Sequence, residues 1–328
     1  MNPILLSVCI PTYNRSHYLK RALESLEIQL NADPNLANIV EVVVSDNCST
    51  DNTKEVALSF VPKIKNLTYA RNEKNVGFDM NIYNIVTKAS GKYCWYLGDD
   101  DIIINGGIAH MCDLIKDDKY DFIGVEAQPL DEESDSYKTK KNFSDDSTIK
   151  ISEFNDFYFK GYCQGGVSAL AFNRSMWLKE VNKDDFLQHW LYYETVLRIL
   201  VATKKPMAFI SDAIVLTGQD CRWAENGTEL FTFTNSNLLL EQMMKYGFDK
   251  KRVETELNKN SKKILIMLLR AKSNNLKCNI KNLKYIHKNL SRMSPLNRVL
   301  VTLIYFIPNI FIKLIKNLKK NTIKIFSN

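Results

Sequence analysis

Short apolar runs recur through the first 130 residues, each closed by a polar turn and followed by a helical pattern. Ile4 to Ile10 is apolar on both faces, as a central parallel strand is, and Pro11-Thr12-Tyr13-Asn14 breaks it. Tyr18, Leu19, Ala22, Leu23 and Leu26 then share one side of a helix. Ile39 to Val44 predicts a second buried strand. It ends at Ser45-Asp46-Asn47-Cys48-Ser49-Thr50-Asp51, where Ser49 or Thr50 is placed to cap a helix starting near Asn52. Leu67 to Ala70 predicts a third strand, followed by the turn Arg71 to Gly77 and a helix from Phe78 to Ala89. Tyr93 to Leu97 reads as a fourth, buried strand, Gly107 to Lys116 as a helix, and Phe122 to Ala127 as a further strand.

Strands alternating with helices through short connections imply a doubly wound α/β sheet. In such sheets ligands bind at the carboxyl ends of the strands. Four polar turns fall at that edge: Pro11 to Asn14, Asp46 to Asp51, Arg71 to Gly77, and Asp99 to Asp101. The last is the most informative. Gly98 permits a sharp turn, and three carboxylates then lie between apolar stretches, with Ile102, Ile103 and Ile104 after them. Adjacent like charges repel, and burying them unpaired costs several kcal/mol each. A divalent cation chelating a diphosphate fits such a cluster, because magnesium and manganese prefer oxygen ligands and keep substrate phosphates as partners. The plainer alternative is a solvated loop capping the helix after Asn105. No G-x-G-x-x-G follows the first strand and no G-x-x-x-x-G-K-[ST] occurs, which disfavours dinucleotide and P-loop sites.

The second half is less periodic. Asp131 to Ser147 is charged and reads as a mobile loop, a candidate lid. Tyr162-Cys163-Gln164-Gly165-Gly166 precedes a strand from Val167 to Phe172, Asn173 is placed to cap a short helix, Trp190 to Thr203 is an amphipathic helix, and Met207 to Leu216 a strand. Gln219 to Gly227 is a polar loop carrying Arg222 and Trp223. From Phe231 onward the pattern is helical: Leu238 to Tyr246, Val253 to Ala271 and Leu283 to Leu290. Val299 to Ile307 is strongly apolar, Pro308-Asn309 interrupts it, and Ile310 to Leu318 continues with lysines at 313 and 316, then Lys319, Lys320 and Lys324. That run is too short and broken for a membrane span of about 20 residues. It suits an interfacial helix with lysines facing anionic lipid; a core helix over the sheet or an oligomer contact is the alternative.

Charge sharpens this division. From Lys250 onward 19 lysines and arginines face Glu254 and Glu256, a net of +17, whereas the first 249 residues carry a net of −10. A basic tail on an acidic body points to a polyanion, a membrane surface or nucleic acid, and the apolar run favours the membrane. The seven cysteines are scattered without a C-x-x-C pair, which disfavours zinc and disulfides and suits a reducing cytosol. Met1 to Cys9 lacks the basic start of a signal peptide.

Together these pieces resemble glycosyltransferase family 2, enzymes of the A-type glycosyltransferase fold. Ser7-Val8-Cys9-Ile10-Pro11-Thr12-Tyr13-Asn14-Arg15 is similar to that family's first strand and loop, and Val42 to Asp51 to its second motif, which usually has two acids where this chain has Ser45-Asp46 and glycine where it has Cys48. Arg71-Asn72 to Asn75-Val76-Gly77 resembles the third, and Leu97-Gly98-Asp99-Asp100-Asp101 the D-x-D motif. The resemblance is clear to about Ala127 and weak to Trp223.

It implies a Rossmann-like mixed sheet flanked by helices, with a catalytic domain over 1–228 (nucleotide-binding half 1–128, acceptor half 150–228) and a basic, helical, membrane-associating region over 229–328. It implies that Pro11, Thr12 and Tyr13 line a base pocket, that Asp46 accepts the N3–H of uracil, and that Arg71 holds base or phosphate. Asp99 and Asp101 would bind Mn2+ or Mg2+, with Asp101 the firmer ligand and Asp99 or Asp100 contacting ribose or donor sugar. The family's acidic pair before a later helix is missing here; Asp185, His189 and Glu194 are the candidate bases, with Asp184-Asp185 also placed to cap a helix and Glu194 placed mid-helix, where a surface position is commoner.

The expected activity is inverting transfer of a sugar, UDP-linked by the Asp46 argument, to a glycan or lipid-linked glycan in surface-polysaccharide or O-antigen assembly, at the inner face of the cell membrane. Two rivals remain: a metal-dependent nucleotidyltransferase, and a non-catalytic membrane or nucleic-acid binder with a degenerate site. The intact acid triplet argues against the binder, so nucleic acid is not expected as a partner.

Overall fold

A computed structural model describes residues 3–131, 134–218, 229–289 and 293–313. Two units are resolved by packing, Met1–Gln219 and Asp220–Asn328. The first lays down β1 (Leu6–Thr12), α1 (Ser16–Ala32), α2 (Pro34–Ile39), β2 (Val40–Asp46), α3 (Thr53–Phe60), β3 (Leu67–Arg71), α4 (Phe78–Lys88), β4 (Tyr93–Tyr96), β5 (Ile102–Ile103), α5 (Gly107–Ile115) and β6 (Phe122–Pro129). Then come β7 (Thr148–Ile151), α6 (Phe154–Phe159), β8 (Leu170–Asn173), α7 (Arg174–Glu180), α8 (Leu191–Ala202) and β9 (Met207–Thr217).

The strands form one mixed sheet in the order β3-β2-β1-β4-β8-β6-β9-β5, with β7 also paired to β9. β3, β2, β1 and β4 run parallel, as the alternation of strand and helix predicts. Beyond β4 the doubly wound expectation fails: β8 inserts antiparallel between β4 and β6. All four residues of β8 are buried, so its sequence has no polar face from which direction or neighbour can be read. The run expected as strand from Val167 is a 3-10 turn up to Ala169. Leu6, Val8 and Ile10 of β1, Val42 and Val44 of β2 and Trp95 of β4 share one core with Leu19, Leu23 and Leu26 of α1. This burial holds the parallel strand ends level.

Three local expectations are corrected. Pro11 does not end β1, which pairs with β2 through Thr12. The last bond to β4 is from Leu97 N–H to Cys9 O, so the missing N–H of Pro11 faces a position where β4 has already turned away. The N-cap of α3 is Asn52, which makes no side-chain capping bond; the carboxylate of the preceding Asp51 accepts Thr53 N–H at 3.0 Å, and neither Ser49 nor Thr50 caps the helix. The described part of the candidate lid is fastened. Asn105 N–H donates to Tyr137 O and Lys141 N–H to Asn105 O, while Asn105 Nδ2 reaches Lys138 O at 2.8 Å. Tyr137 is buried with Ile102, Ile104, Leu130 and Leu216, so this segment braces the chain after the acid triplet.

The second unit contains α9 (Glu229–Tyr246), α10 (Lys250–Ser273), α11 (Ile280–Asn289) and α12 (Pro295–Phe306). Leu230, Ile264, Leu268, Ile286, Val301 and Tyr305 belong to its core. Ser294 caps α12 through Asn297 N–H, with Pro295 in the first turn. α12 buries Val301 and Tyr305 but exposes Leu296, Val299, Leu303 and Phe306, and Ile310 continues that spacing. No helix among the described residues is long and apolar enough to cross a membrane. Arg222, Trp223 and the lysines at 316, 319, 320 and 324 lie outside the described residues.

Candidate active site

Register brings the polar turns together. Thr12 pairs with Asp46, Asp46 with Arg71, and Cys9 with Tyr96, so four neighbouring strands end on one side. Hydrogen bonds then join the turns. Asn14 N–H donates to Ser49 Oγ at 2.8 Å, and Thr50 N–H to Asn14 Oδ1 at 2.7 Å. Val76 N–H donates to Asn47 Oδ1 at 2.9 Å and Asn47 Nδ2 to Asn75 Oδ1 at 2.9 Å. Asn72 and Asn81 extend this amide network, with Asn72 Nδ2 2.9 Å from Asn81 Oδ1 and Asn81 Nδ2 2.9 Å from Ser45 O.

The acid triplet closes the array. Thr12 Oγ1 donates to Asp99 Oδ2 at 2.8 Å. Arg15 spans two of the acids, Nη1 lying 3.1 Å from Asp99 Oδ1 and Nη2 3.0 Å from Asp100 Oδ2. Asp101 accepts Gly218 N–H at 2.9 Å and the hydroxyl of Ser168, which itself accepts Gly98 N–H at 2.7 Å. Burial pushes Asp99 up to about 7, against the pull of Arg15 and Thr12. Burial likewise pushes Asp101 up to about 6, although Ser168 favours its charged form. The Arg15 guanidinium thus does not overcome the loss of water at Asp99 and Asp101. The solvated-loop alternative fails, since Asp99 is 5% exposed and Asn105 bonds the 105–141 brace.

Asp46 is fully buried. Its carboxylate accepts Ser49 N–H at 2.8 Å and the Tyr69 hydroxyl at 2.7 Å, with Arg71 Nε at 3.5 Å. Burial, then the bond to Asp46, pushes the Tyr69 hydroxyl well above the usual phenol range. Arg71 also donates to Ser49 O at 2.9 Å. Tyr13 is exposed and Pro11 half-buried. Cys48, where the resembling motif has glycine, has φ +68°, a left-handed conformation that costs a residue with a Cβ about 1 kcal/mol.

The three candidate bases gather at the start of α8. Asp185 and His189 are exposed. Neither Asp184 nor Asp185 caps the helix: their N–H groups turn back to Asn182 Oδ1, both at 3.3 Å. The capping carboxylate comes from α4, where Asp79 accepts His189 N–H at 2.7 Å and Leu191 N–H at 3.2 Å. Glu194 is not on the surface but 2% exposed in the first turn of α8. Burial pushes it up to about 7, against the Arg198 guanidinium 3.5 Å away. The structure thus adds Arg15, Ser168 and Asp79 to the residues expected. Arg15 sits in the first motif and was legible; Ser168 and Asp79 act at long range and leave no local signal.

The family model for glycosyl transferase family 2 matches residues 7–184. The chain belongs to glycosyl transferase family 2. Abequosyltransferase RfbV of Salmonella typhimurium is 38% identical over 113 residues, 32% of this chain and 31% of that one. The GalNAc(5)-diNAcBac-PP-undecaprenol beta-1,3-glucosyltransferase of Campylobacter jejuni is 26% identical over 223 residues, 64% of this chain and 67% of that one. The chain thus spans under a third of the first relative and about two thirds of the second. S. aureus TarS 1-349 in complex with UDP-GlcNAc aligns with a TM-score of 0.59 at 15% identity over 87% of this chain and 79% of that chain. Mannosyltransferase PcManGT from Pyrobaculum calidifontis, in complex with GDP-Man and Mn2+, aligns with a TM-score of 0.54 at 14% identity over 97% and 89%. These likenesses establish the A-type fold, and the family membership makes the chain a glycosyltransferase.

In this glycosyltransferase no three His, Cys, Asp or Glu side chains among the described residues surround one point as a metal shell. The donor set nevertheless suits a divalent cation completed by phosphate and water: it is all carboxylate oxygen. Backbone also approaches it closely, since a Cβ on Gly218 would lie 2.5 Å from Asp100 O and one on Gly98 2.7 Å from Asp101 Oδ2.

The raised acids give a pH dependence. A carboxyl held above its usual value near 3.9 binds more protons folded than unfolded, so its contribution to stability falls as pH rises from about 4 to about 7. In EDTA, the stability of Asp99→Asn relative to wild type is expected to rise between pH 5 and pH 8, by on the order of 2 kcal/mol in urea melts. A difference that stays flat, or falls, contradicts this charge balance.

Proposed function

We propose that the protein transfers a sugar from a nucleotide sugar, UDP-linked, to a glycan or lipid-linked glycan with inversion at the anomeric carbon. The acid triplet at the joined strand ends, with Asp99 buried and both Asp99 and Asp101 pushed up by burial, carries this reading. The neighbours solved with UDP-GlcNAc or with GDP-Man and Mn2+ support a nucleotide-sugar donor, and the relative named for an undecaprenol-linked glycan supports a lipid-linked acceptor.

Asp101 and Asp99 would hold Mn2+ or Mg2+, whose chemistry is to offset charge on the departing diphosphate. Asp100 and Arg15 position the turn around them. Pro11, Thr12 and Tyr13 border the base, and Asp46 accepts its N3–H. The long Arg71 contact at 3.5 Å, from a side chain 40% exposed, is the one that yields to the base; Arg71 then turns to the base edge or phosphate. The acceptor hydroxyl attacks the anomeric carbon, the bond from that carbon to the phosphate oxygen breaks, and the proton passes to a base. Asp185 and His189 are exposed for that role. Glu194 is the third candidate and holds the turn by accepting Leu187 N–H at 3.4 Å.

The apolar stripe of α12, in a region of net charge +17 from Lys250 onward, would hold the protein peripherally on the anionic inner face of the cell membrane.

Asp101→Asn is expected to lower UDP release from UDP-sugars by at least about 100-fold while the melting temperature stays within a few degrees. Near-normal turnover removes Asp101 from this role, and pyrophosphate release in place of UDP indicates nucleotidyl transfer. Leu303→Asp combined with Phe306→Asp should abolish flotation with phosphatidylglycerol-containing vesicles; undiminished flotation removes α12 as the membrane contact.

A further inference from the structure

We propose that the open cleft between α11 and α12 binds the phosphate of a single anionic lipid, held by Arg298, His287 and Thr302. The inference rests on the membrane reading of α12 above and adds to it a discrete site that selects phosphate.

The cleft follows from the spacing of α12. Arg298 and Thr302 lie four residues apart, as do Val299 and Leu303, so the helix carries a polar row beside an apolar one. His287 of α11 meets the polar row at Thr302. These five residues line a cleft of about 320 Å³ that opens to solvent, at the small end of ligand sites.

Its polar groups hold one another in place. Arg298 Nε reaches back to Met293 O at 3.4 Å. The Thr302 hydroxyl donates its one proton to Arg298 O at 2.9 Å, so in its 3.3 Å pair with His287 Nε2 the imidazole is the donor. Burial, then the charge of Arg298, push the His287 imidazole down from its usual value. Near pH 7 the ring is therefore neutral, and Arg298 is the cation of the site. A phosphate oxygen is a stronger acceptor than a hydroxyl or a carbonyl, and a guanidinium matches its geometry with two parallel N–H groups.

Charge and apolar surface together specify the occupant. Leu257 to Asn328 holds 16 lysines and arginines and neither aspartate nor glutamate, so no side chain of α11 or α12 offers a carboxylate. The other wall decides between a free anion and a lipid. Val299 and Leu303 are 56% and 62% exposed, and the same helix exposes Leu296 and Phe306. A free phosphate leaves that apolar surface wet, at a cost that grows with its area. A lipid whose phosphate meets Arg298 lays its first methylenes on Val299 and Leu303.

The test is flotation of the full chain with phosphatidylcholine vesicles that carry phosphatidylglycerol or, at equal surface charge, a carboxylate lipid without phosphate. Wild type should bind the phosphatidylglycerol vesicles at least about tenfold more tightly. Arg298→Gln and Thr302→Val should each lose most of that preference. Lys263→Gln, which removes the same charge from outside the cleft, should keep it. If Arg298→Gln does not fold, Thr302→Val decides. Equal binding to the two vesicles, a preference that survives in Thr302→Val or a folded Arg298→Gln, or one lost equally in Lys263→Gln overturns the site while leaving the membrane reading standing. Inorganic phosphate that binds wild type as tightly as the vesicles do, by calorimetry, makes the occupant a free anion and overturns the lipid. A wild type that floats with no vesicle overturns the membrane reading of α12 and this site with it.

Discussion

Three adjacent carboxylates can sit at the end of a buried strand only if something opposes their mutual repulsion and loss of water. In this protein the opposition is incomplete. Arg15 spans Asp99 and Asp100, Thr12 and Ser168 donate hydroxyls, Gly218 donates an N–H, and Asp99 and Asp101 are still pushed up to about 7 and about 6. The fold holds adjacent carboxyls whose charged forms burial disfavours. Stability given up there is the expected counterpart of a site organised for a charged ligand.

The rest of the first unit keeps that cluster in place. Parallel pairing levels the ends of β1, β2, β3 and β4, and the core beneath them fixes the register. Above the sheet, asparagines do the joining: Asn14 links the first two turns, and Asn47 and Asn72 link the second and third. Asparagine suits this work because one side chain both donates and accepts. Behind the triplet, Gln29 donates to Ile103 O at 3.0 Å and accepts Gly106 N–H at 3.1 Å, tying α1 to the chain that follows the acids. From the other side, Asp79 ties α4 to the turn before α8, which carries His189.

What the sequence reveals follows from the range of each interaction. β1 to β4 and the polar turns after them are legible because apolar runs and turn residues are local signals. Cys48 is legible as a departure from glycine, and the structure supplies the meaning: a positive φ. The antiparallel insertion of β8 is not legible, since a short, fully buried strand carries no directional mark. Nor is the contact of Ser168 with Asp101, which joins residues 67 apart, or the capping of α8 by Asp79 from another helix. Glu194 is misjudged for a related reason: helical position alone does not tell which side faces the sheet. The segment 134–147 is misjudged as mobile because its composition is polar, whereas backbone bonds to Asn105 and the burial of Tyr137 hold it.

Under the proposed function, a cation and a nucleotide diphosphate complete the acid triplet. Isothermal titration calorimetry of UDP, in Mn2+ and again in EDTA, tests it most directly. UDP should bind at least about tenfold more tightly with Mn2+, and that gain should vanish in both Asp99→Asn and Asp101→Asn. Equal affinity in Mn2+ and EDTA, or a metal effect that survives loss of both carboxylates, contradicts it.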